Sequence, residues 1–351
     1  MTMKTPVRIL LILLCAALLM ALPFTVSSPN MLNDVKTELV NEDDDEEEID
    51  FGRIFLSSAC AEETEIFEEE DLDTGAVSSA GVVQPLPVDF SAGPEPDPAL
   101  YTGEGYKDDT ISVRLEHQEM DDGTKMHVAY VEIADASQFR TGVANPDKPQ
   151  SSRTKTVKYL AKSYNAVIAL NGDNYVDKPE KTTFEYRMGT KIRSKANRTK
   201  DILIIDDQGD FHLFVKSEGI KEAPNMLKSQ GRSLVNAFTF GPALVKDGEL
   251  LELDEGYGYN PGGREPRAAI GQMGHLSYVL VIIEAKDRSG RSGFSQGKLA
   301  EFMYGLGCRQ AFNLDGGNSA EMVMGDLVIK GMPDGDDRTL SDIIYFASAM
   351  Q

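Results

Sequence analysis

Two segments of the chain repeat one order of hydrophobic and polar positions. In "TKTVKYLAKSYNAVIALNGDNY", Val157, Leu160, Ala161 and Tyr164 fall at i, i+3, i+4 and i+7. That spacing predicts a helix with one apolar face, and Asn165 suits a left-handed stop. A short apolar run over 166–170 follows and ends in Asn171, Gly172 and Asp173. In "SGFSQGKLAEFMYGLGCRQAFNLDGGNS" the order returns: Leu299, Phe302, Met303 and Leu306 at helical spacing, Ser295 as the N-cap and Gly307 as the stop. The strand through Phe312 and Leu314 then ends in Asp315, Gly316 and Gly317.

Side chains alternate between the two faces of a strand. Phe312 and Leu314 should therefore share one face and Asn313 and Asp315 the other, and Asn171 and Asp173 should share a face in the same way. Each strand end offers an amide and a carboxylate. Crevices beyond strand ends are common ligand sites, so the four groups converge if the two strands are neighbours in a sheet.

Elsewhere the pattern is mostly that of strands. "ISVRLEHQEM" and "DDGTKMHVAYVEIA" alternate around an Asp-Gly turn, and "DILIIDDQGDFHLFV" reads as a second hairpin. "AFTFGPALVKDGEL" gives a strand, a Gly-Pro break and another turn at Asp247-Gly248. "YVLVIIEA" is a strand of the fully buried kind, "EMVMGDLVIKGM" another hairpin and "LSDIIYFAS" a last strand. Strands dominate and helices are few, which predicts a single α+β domain with a mixed β-sheet core and a few packed helices.

Charge changes the picture at one end only. The net charge is −22, but residues 29–108 hold 23 Asp and Glu against 3 Lys and Arg. Blocks such as "NEDDDEEEID" repel themselves, and "PLPVDFSAGPEPDPAL" adds proline spacing. Residues 29–108 therefore read as a disordered acidic stalk, and the folded domain as 109–351. Residues 1–28 carry Lys4 and Arg8 before an apolar run from Ile9 to Val26. This is the layout of an export signal, or of a membrane anchor if it is not cleaved. The expected location is extracellular, either secreted or held on the outer face of the membrane. No basic surface suggests nucleic acid. The 3 Cys and 4 His show no ligand spacing, so no metal and no cofactor is expected. Calcium on Asp and Asn oxygens is the alternative left open, although the sequence shows no dedicated loop for it.

The motifs "ALNGDNY", "FTFGPALVKDGE", "PRAAIGQ", "NLDGGNSAEM" and "DDRTLSDIIYF", in that order, resemble the phosphodiester glycosidase family across roughly residues 110–350. The resemblance implies hydrolysis of a sugar-1-phosphodiester at its glycosidic bond, with a phosphorylated cell-surface or secreted polysaccharide as the partner. Family members read Asp-Gly-Gly-Gly-Ser-Ser-Thr-Met at the last site. Here Asp315, Gly316, Gly317, Ser319 and Met322 match, while Asn318, Ala320 and Glu321 depart.

The chemistry needs a carboxylate and a phosphate holder. Asp315 is the first choice for acid or base and Asp173 the second. Arg267, matching the family's arginine before Ala-Ile-Gly, is the first choice for phosphate, with Arg264 and Arg338 behind it, because a guanidinium fork suits phosphate oxygens. Asn171 and Asn313 would bond sugar hydroxyls or orient the carboxylates. Gly172, Gly316 and Gly317 would shape the turns and offer N–H donors, and Ser319 would touch phosphate. Glu321 is either a second carboxylate or a solvent-facing strand residue. The competing reading is a non-catalytic surface module that binds anionic glycan.

Overall fold

The protein's three-dimensional structure is a computed structural model that describes residues 83–177, 183–287 and 289–350. Among the described residues the α-helices are α1 (Val157–Ser163), α2 (Ala223–Ser229) and α3 (Gln296–Gly305). The expected stops and cap hold. Asn165 sits at φ 53°, and the Ser295 side chain accepts from the backbone N–H of Lys298.

The largest sheet has eight strands, ordered Gly105–Lys107, Ile111–Glu119, Lys125–Ile133, Ser277–Glu284, Arg267–Gly274, Gln310–Leu314, Ala243–Lys246 and Glu249–Leu250. A second sheet of five runs Phe211–Phe214, Ile202–Asp206, Leu234–Phe238, Phe184–Arg187 and Thr190–Ser194. A third, also of five, runs Leu327–Lys330, Glu321–Met324, Ala166–Asn171, Asp342–Ala347 and Phe139–Val143. A ribbon pairs Lys155–Thr156 with Thr339–Leu340. The α+β reading stands, with one change. The core is built from several sheets, and each described pairing is antiparallel. Some of these pairs are hairpins, such as Ile111–Glu119 with Lys125–Ile133, and others join strands far apart in the chain, such as Lys125–Ile133 with Ser277–Glu284.

The core lies between the sheets. Val131, Ile270, Leu280 and Phe312 of the large sheet meet Leu170, Met322 and Phe346 of the third and Leu203 and Ile205 of the second. Helix α1 covers the other side of the third sheet, setting Val157, Leu160 and Ala161 against Ala169, Val323 and Tyr345. Helix α2 does the same for the second sheet, with Ala223 and Leu227 on Ile202 and Ile204. Strands such as Ala166–Asn171 are thus covered on both faces, which explains why 166–170 reads as an unbroken apolar run. Burying one such aliphatic side chain contributes roughly 1.5–3 kcal/mol.

Composition places residues 83–108 in the stalk, and the structure corrects that boundary. Leu86 and Phe90 pack beside α1, Gly93 donates to the Tyr164 carbonyl at 3.3 Å, and Gly105–Lys107 adds a strand to the large sheet. The anchor is Arg140, 1% exposed, which donates to the carbonyls of Pro87 (2.8 Å), Asp89 (3.0 Å) and Ser91 (3.2 Å) and to the Tyr345 hydroxyl (2.9 Å). A proline-rich segment has few backbone donors of its own, so a buried guanidinium that gathers its carbonyls can hold it in place. The signal or anchor segment 1–28 and the acidic blocks lie outside the described residues. Among the described residues no helix is long and apolar enough to cross a membrane.

Each hydrogen bond from a charged donor is worth roughly 1.5 kcal/mol or more. Arg140→Ala should therefore release the 86–92 segment. Hydrogen exchange should show amides 86–92 exchanging faster than in the wild type, with those of Leu280 and Val281 unchanged.

Candidate functional site

The two polar strand ends do meet, although they belong to different sheets. Asn171, at the end of Ala166–Asn171 in the third sheet, donates from Nδ2 to the Asp315 carbonyl at 2.7 Å and to the Gly172 carbonyl at 2.9 Å. Its Oδ1 accepts from the backbone N–H of Glu321 at 3.2 Å. One fully buried amide therefore joins the ends of three strands. Asp315 is half-buried, as are Gly316, Gly317 and Asn318 after it. Asn313 faces away from Phe312 and Leu314 as alternation requires, and its Nδ2 donates to the Gly241 carbonyl at 2.7 Å.

The other carboxylate of the pair has a different fate. Asp173 is fully buried, taking Arg187 Nη2 on Oδ1 at 2.7 Å and the Thr239 backbone N–H on Oδ2 at 2.9 Å. Arg187 also reaches Asp342 Oδ2 through Nε (2.9 Å) and Nη2 (2.8 Å), and its Nη1 lies 3.3 Å from Glu185 Oε2. Its guanidinium carbon is 3.9 Å from the centre of the Phe238 ring. Three carboxylates thus share one guanidinium with no access to solvent. Burial pushes the Asp342 carboxyl above the usual range despite Arg187, while the three carboxylates together outweigh the burial of Arg187 and hold its proton more firmly. A Cβ on Gly172 would fall 2.1 Å from Asp342 Oδ2, so only glycine allows this approach.

Two of the three arginines expected to hold phosphate are engaged elsewhere. Arg267, 3% exposed, donates to the carbonyls of Phe294 (3.0 Å), Tyr259 (3.1 Å), Asn260 (2.8 Å) and Gly263 (2.9 Å). Four of its five N–H groups therefore hold the 259–263 loop and Phe294. Burial lowers its affinity for a proton, with Glu265 pulling the other way. Arg264 donates to the Gly293 carbonyl at 3.1 Å and pairs with Asp122. Arg338 is exposed, just before the Thr339–Leu340 ribbon.

The turn after Asp315 has open capacity. Gly317, at φ 60°, donates to the Pro266 carbonyl at 2.9 Å, and Gly316 lies against Pro266 and Arg267. Ser319 is 1% exposed, and its Oγ has no hydrogen-bond partner; Asn313 Oδ1 is likewise buried and unbonded. An unsatisfied buried polar atom costs about 1–3 kcal/mol, which is a reason to look for a ligand there. Among the described residues no group of three or more His, Cys, Asp or Glu side chains is placed to hold a metal ion.

Glu321 is not solvent-facing. It is 6% exposed, and burial raises its carboxyl above the usual range, against the pull of Lys330 and of the Lys158 backbone N–H and charge. Sequence reasoning missed Arg187, Glu185 and Asp342. The available signal was ionisable residues at alternate positions of a strand ("FEYR") and inside an apolar run ("SDIIYF"), which is where buried charges are paired.

A sequence model of the phosphodiester glycosidase family matches residues 164–347, more than half of the chain, and the protein belongs to that family. The match spans both strand ends, Arg187, Asp342 and Glu321. Among curated proteins, the SPbeta prophage-derived uncharacterized protein YomE of Bacillus subtilis is 28% identical over 198 residues, covering 55% of this chain. The chain spans only 30% of that relative's length. Among solved structures, the catalytic domain of zebrafish N-acetylglucosamine-1-phosphodiester alpha-N-acetylglucosaminidase, auto-inhibited by its pro-peptide, aligns with a TM-score of 0.51 at 16% identity. That alignment covers 68% of this chain and 83% of the zebrafish chain, and it shows a shared fold.

Removing one partner of a buried ion pair costs about 3–5 kcal/mol. Arg187→Met should lower unfolding free energy by about that much, read from urea denaturation, because three carboxylates lose their common cation. The Glu321 carboxyl binds its proton more tightly folded than unfolded, so its contribution to stability falls as pH rises from the ordinary glutamate value through the raised folded one. The stability of wild type relative to Glu321→Gln should therefore decline between pH 4.5 and neutrality, measured as paired urea midpoints. A difference that stays flat or rises would contradict the burial of this carboxyl.

Proposed function

We propose that the protein hydrolyses the glycosidic bond of a sugar-1-phosphodiester. The observation that carries this reading is the seam at which Asn171 Nδ2 meets the Asp315 carbonyl at 2.7 Å. It sets a half-exposed carboxylate next to a glycine turn and an unbonded buried hydroxyl, Ser319, within the stretch matched by the family. The name of the zebrafish protein with this fold specifies a sugar-1-phosphodiester, and the same class of substrate suits this site.

In this reading the Asp315 carboxylate takes a proton from the water that attacks the anomeric carbon. The phosphate leaves as a stabilised anion, so the carboxylate and a firm hold on the phosphate supply most of the catalysis. The Ser319 hydroxyl and the Gly316 N–H hold phosphate oxygens, and exposed Arg338 adds positive charge at the rim. Asn313 and Asn171 orient the sugar and the turn. Asp173 anchors Arg187 and so fixes the strand ends, and Arg267 fixes the 259–263 loop. Holding the reacting groups within an ångström of their productive positions is itself a large part of such catalysis.

The protein is proposed to act outside the cell, on cell-surface or secreted phosphorylated polysaccharide. Support comes from the basic-then-apolar first 28 residues, followed by an acidic stretch suited to spacing a domain from a surface. The test is release of free sugar from a panel of sugar-1-phosphodiesters by the purified protein. Wild type should turn over at least one, and Asp315→Asn should lower kcat by about a hundredfold or more. Glycan binding without turnover on any sugar would favour a binding module instead. Full activity in Asp315→Asn would remove that residue from the chemistry.

A further inference from the structure

The strand Glu321–Met324 sends Met322 and Met324 into the core between the sheets and Val323 toward α1. Glu321 therefore shares the α1 side with Val323. The ladder that pairs Met322 with Leu170 brings Glu321 level with Asn171, whose side-chain amide binds the Asp315 carbonyl and accepts the Glu321 backbone N–H. A second carboxyl thus flanks the seam that carries Asp315.

Its surroundings are mixed in sign. Lys330 lies opposite on the neighbouring strand, Lys158 faces it from the first turn of α1 with both charge and backbone N–H, and Asp337 faces it from the loop before the Thr339–Leu340 ribbon. The Lys330 ammonium is bonded to Asp337, so the cation opposite Glu321 is shared with a competing carboxylate. With 6% exposure, burial prevails over these cations and raises the carboxyl above the usual range. Glu321 thus differs from Asp173 and Asp342, which are tied directly to the buried Arg187 guanidinium.

We propose that Glu321 is the general acid of this site, so that the protein expels leaving groups more basic than a phosphate, such as the alkoxide of an alcohol or a second sugar. The inference rests on the hydrolytic reading of the site. The bond from the anomeric carbon to the leaving oxygen breaks with its electron pair on that oxygen, which takes the Glu321 proton and departs as a neutral alcohol. The water oxygen bonds to the anomeric carbon and gives its proton to Asp315. Exchange with solvent moves that proton off Asp315 and returns one to Glu321, so the net change is the addition of one water across the bond. An acid contributes in proportion to the basicity of the leaving oxygen; phosphate gains little from it and an alkoxide gains much.

The test uses wild type, Glu321→Gln and Glu321→Thr on three substrates of one sugar: its 1-phosphodiester, its p-nitrophenyl glycoside and its methyl glycoside. Urea midpoints establish that both variants are folded. The account expects wild type to cleave all three. Both variants should lose about 10²–10⁴-fold in kcat on the methyl glycoside but much less on the phosphodiester, with the high-pH decline of the methyl glycoside rate absent. Equal losses on all three substrates would overturn the assignment, as would a wild type that cleaves the phosphodiester and not the methyl glycoside. A wild type inactive on every substrate would overturn the hydrolytic reading together with this one.

Discussion

The whole site hangs on one buried guanidinium. Arg187 belongs to the second sheet, yet its partners Asp342 and Asp173 stand at the start of one strand and just past the end of another in the third sheet. With no solvent to share the charge, those ion pairs persist only if each group keeps its position, so Arg187 fixes the two sheets relative to each other. From there two neutral contacts extend the frame to the large sheet: Asn171 Nδ2 to the Asp315 carbonyl, and Asn313 Nδ2 to the Gly241 carbonyl. The Thr239 backbone N–H on Asp173 closes the circuit. Three sheets therefore reach a common point through side chains, with no hydrogen-bonded ladder between them.

This arrangement divides labour between residues that look alike in sequence. Asp173 and Asp315 each end an apolar strand next to glycine, but the first is fully buried against Arg187 and the second is half-buried. Arg267 and Arg338 differ in the same way. Arg267 is surrounded by carbonyls that consume its donors, and Arg338 is exposed. Polar capacity that nothing in the fold uses, on Ser319 Oγ and Asn313 Oδ1, collects beside the Asp315 turn. A rigid frame with a few unspent polar groups is what positioning a substrate requires.

Local order was legible in the sequence because local physics decides it. The hairpins at Asp122-Gly123 and Asp247-Gly248, the helices ending before Asn165 and Gly307, and the placing of Asn313 on the strand face opposite Phe312 and Leu314 all follow from turn chemistry and periodicity. Sheet membership was not legible. Nothing in the repeated helix, strand and turn units says that their strands enter different sheets, because long-range pairing depends on which faces meet. Glu185, Arg187 and Asp342 escaped because each reads alone as a surface charge, and only the assembled sheets bring them together. Composition assigns the proline-rich segment at 83–108 to the stalk, and it carries no information about Arg140, 49 or more positions away from the carbonyls at Pro87, Asp89 and Ser91 that it collects.

If the unspent groups beside Asp315 are the binding site, a ligand will find them. The most direct measurement is a crystal structure of the protein with a sugar phosphate bound. The account predicts phosphate oxygens within hydrogen-bond reach of Ser319 Oγ and the Gly316 N–H, the anomeric carbon beside the Asp315 carboxylate, and Arg187 unmoved. A sugar phosphate bound away from this turn, or one held by an Arg267 that has let go of the 259–263 carbonyls, would contradict it.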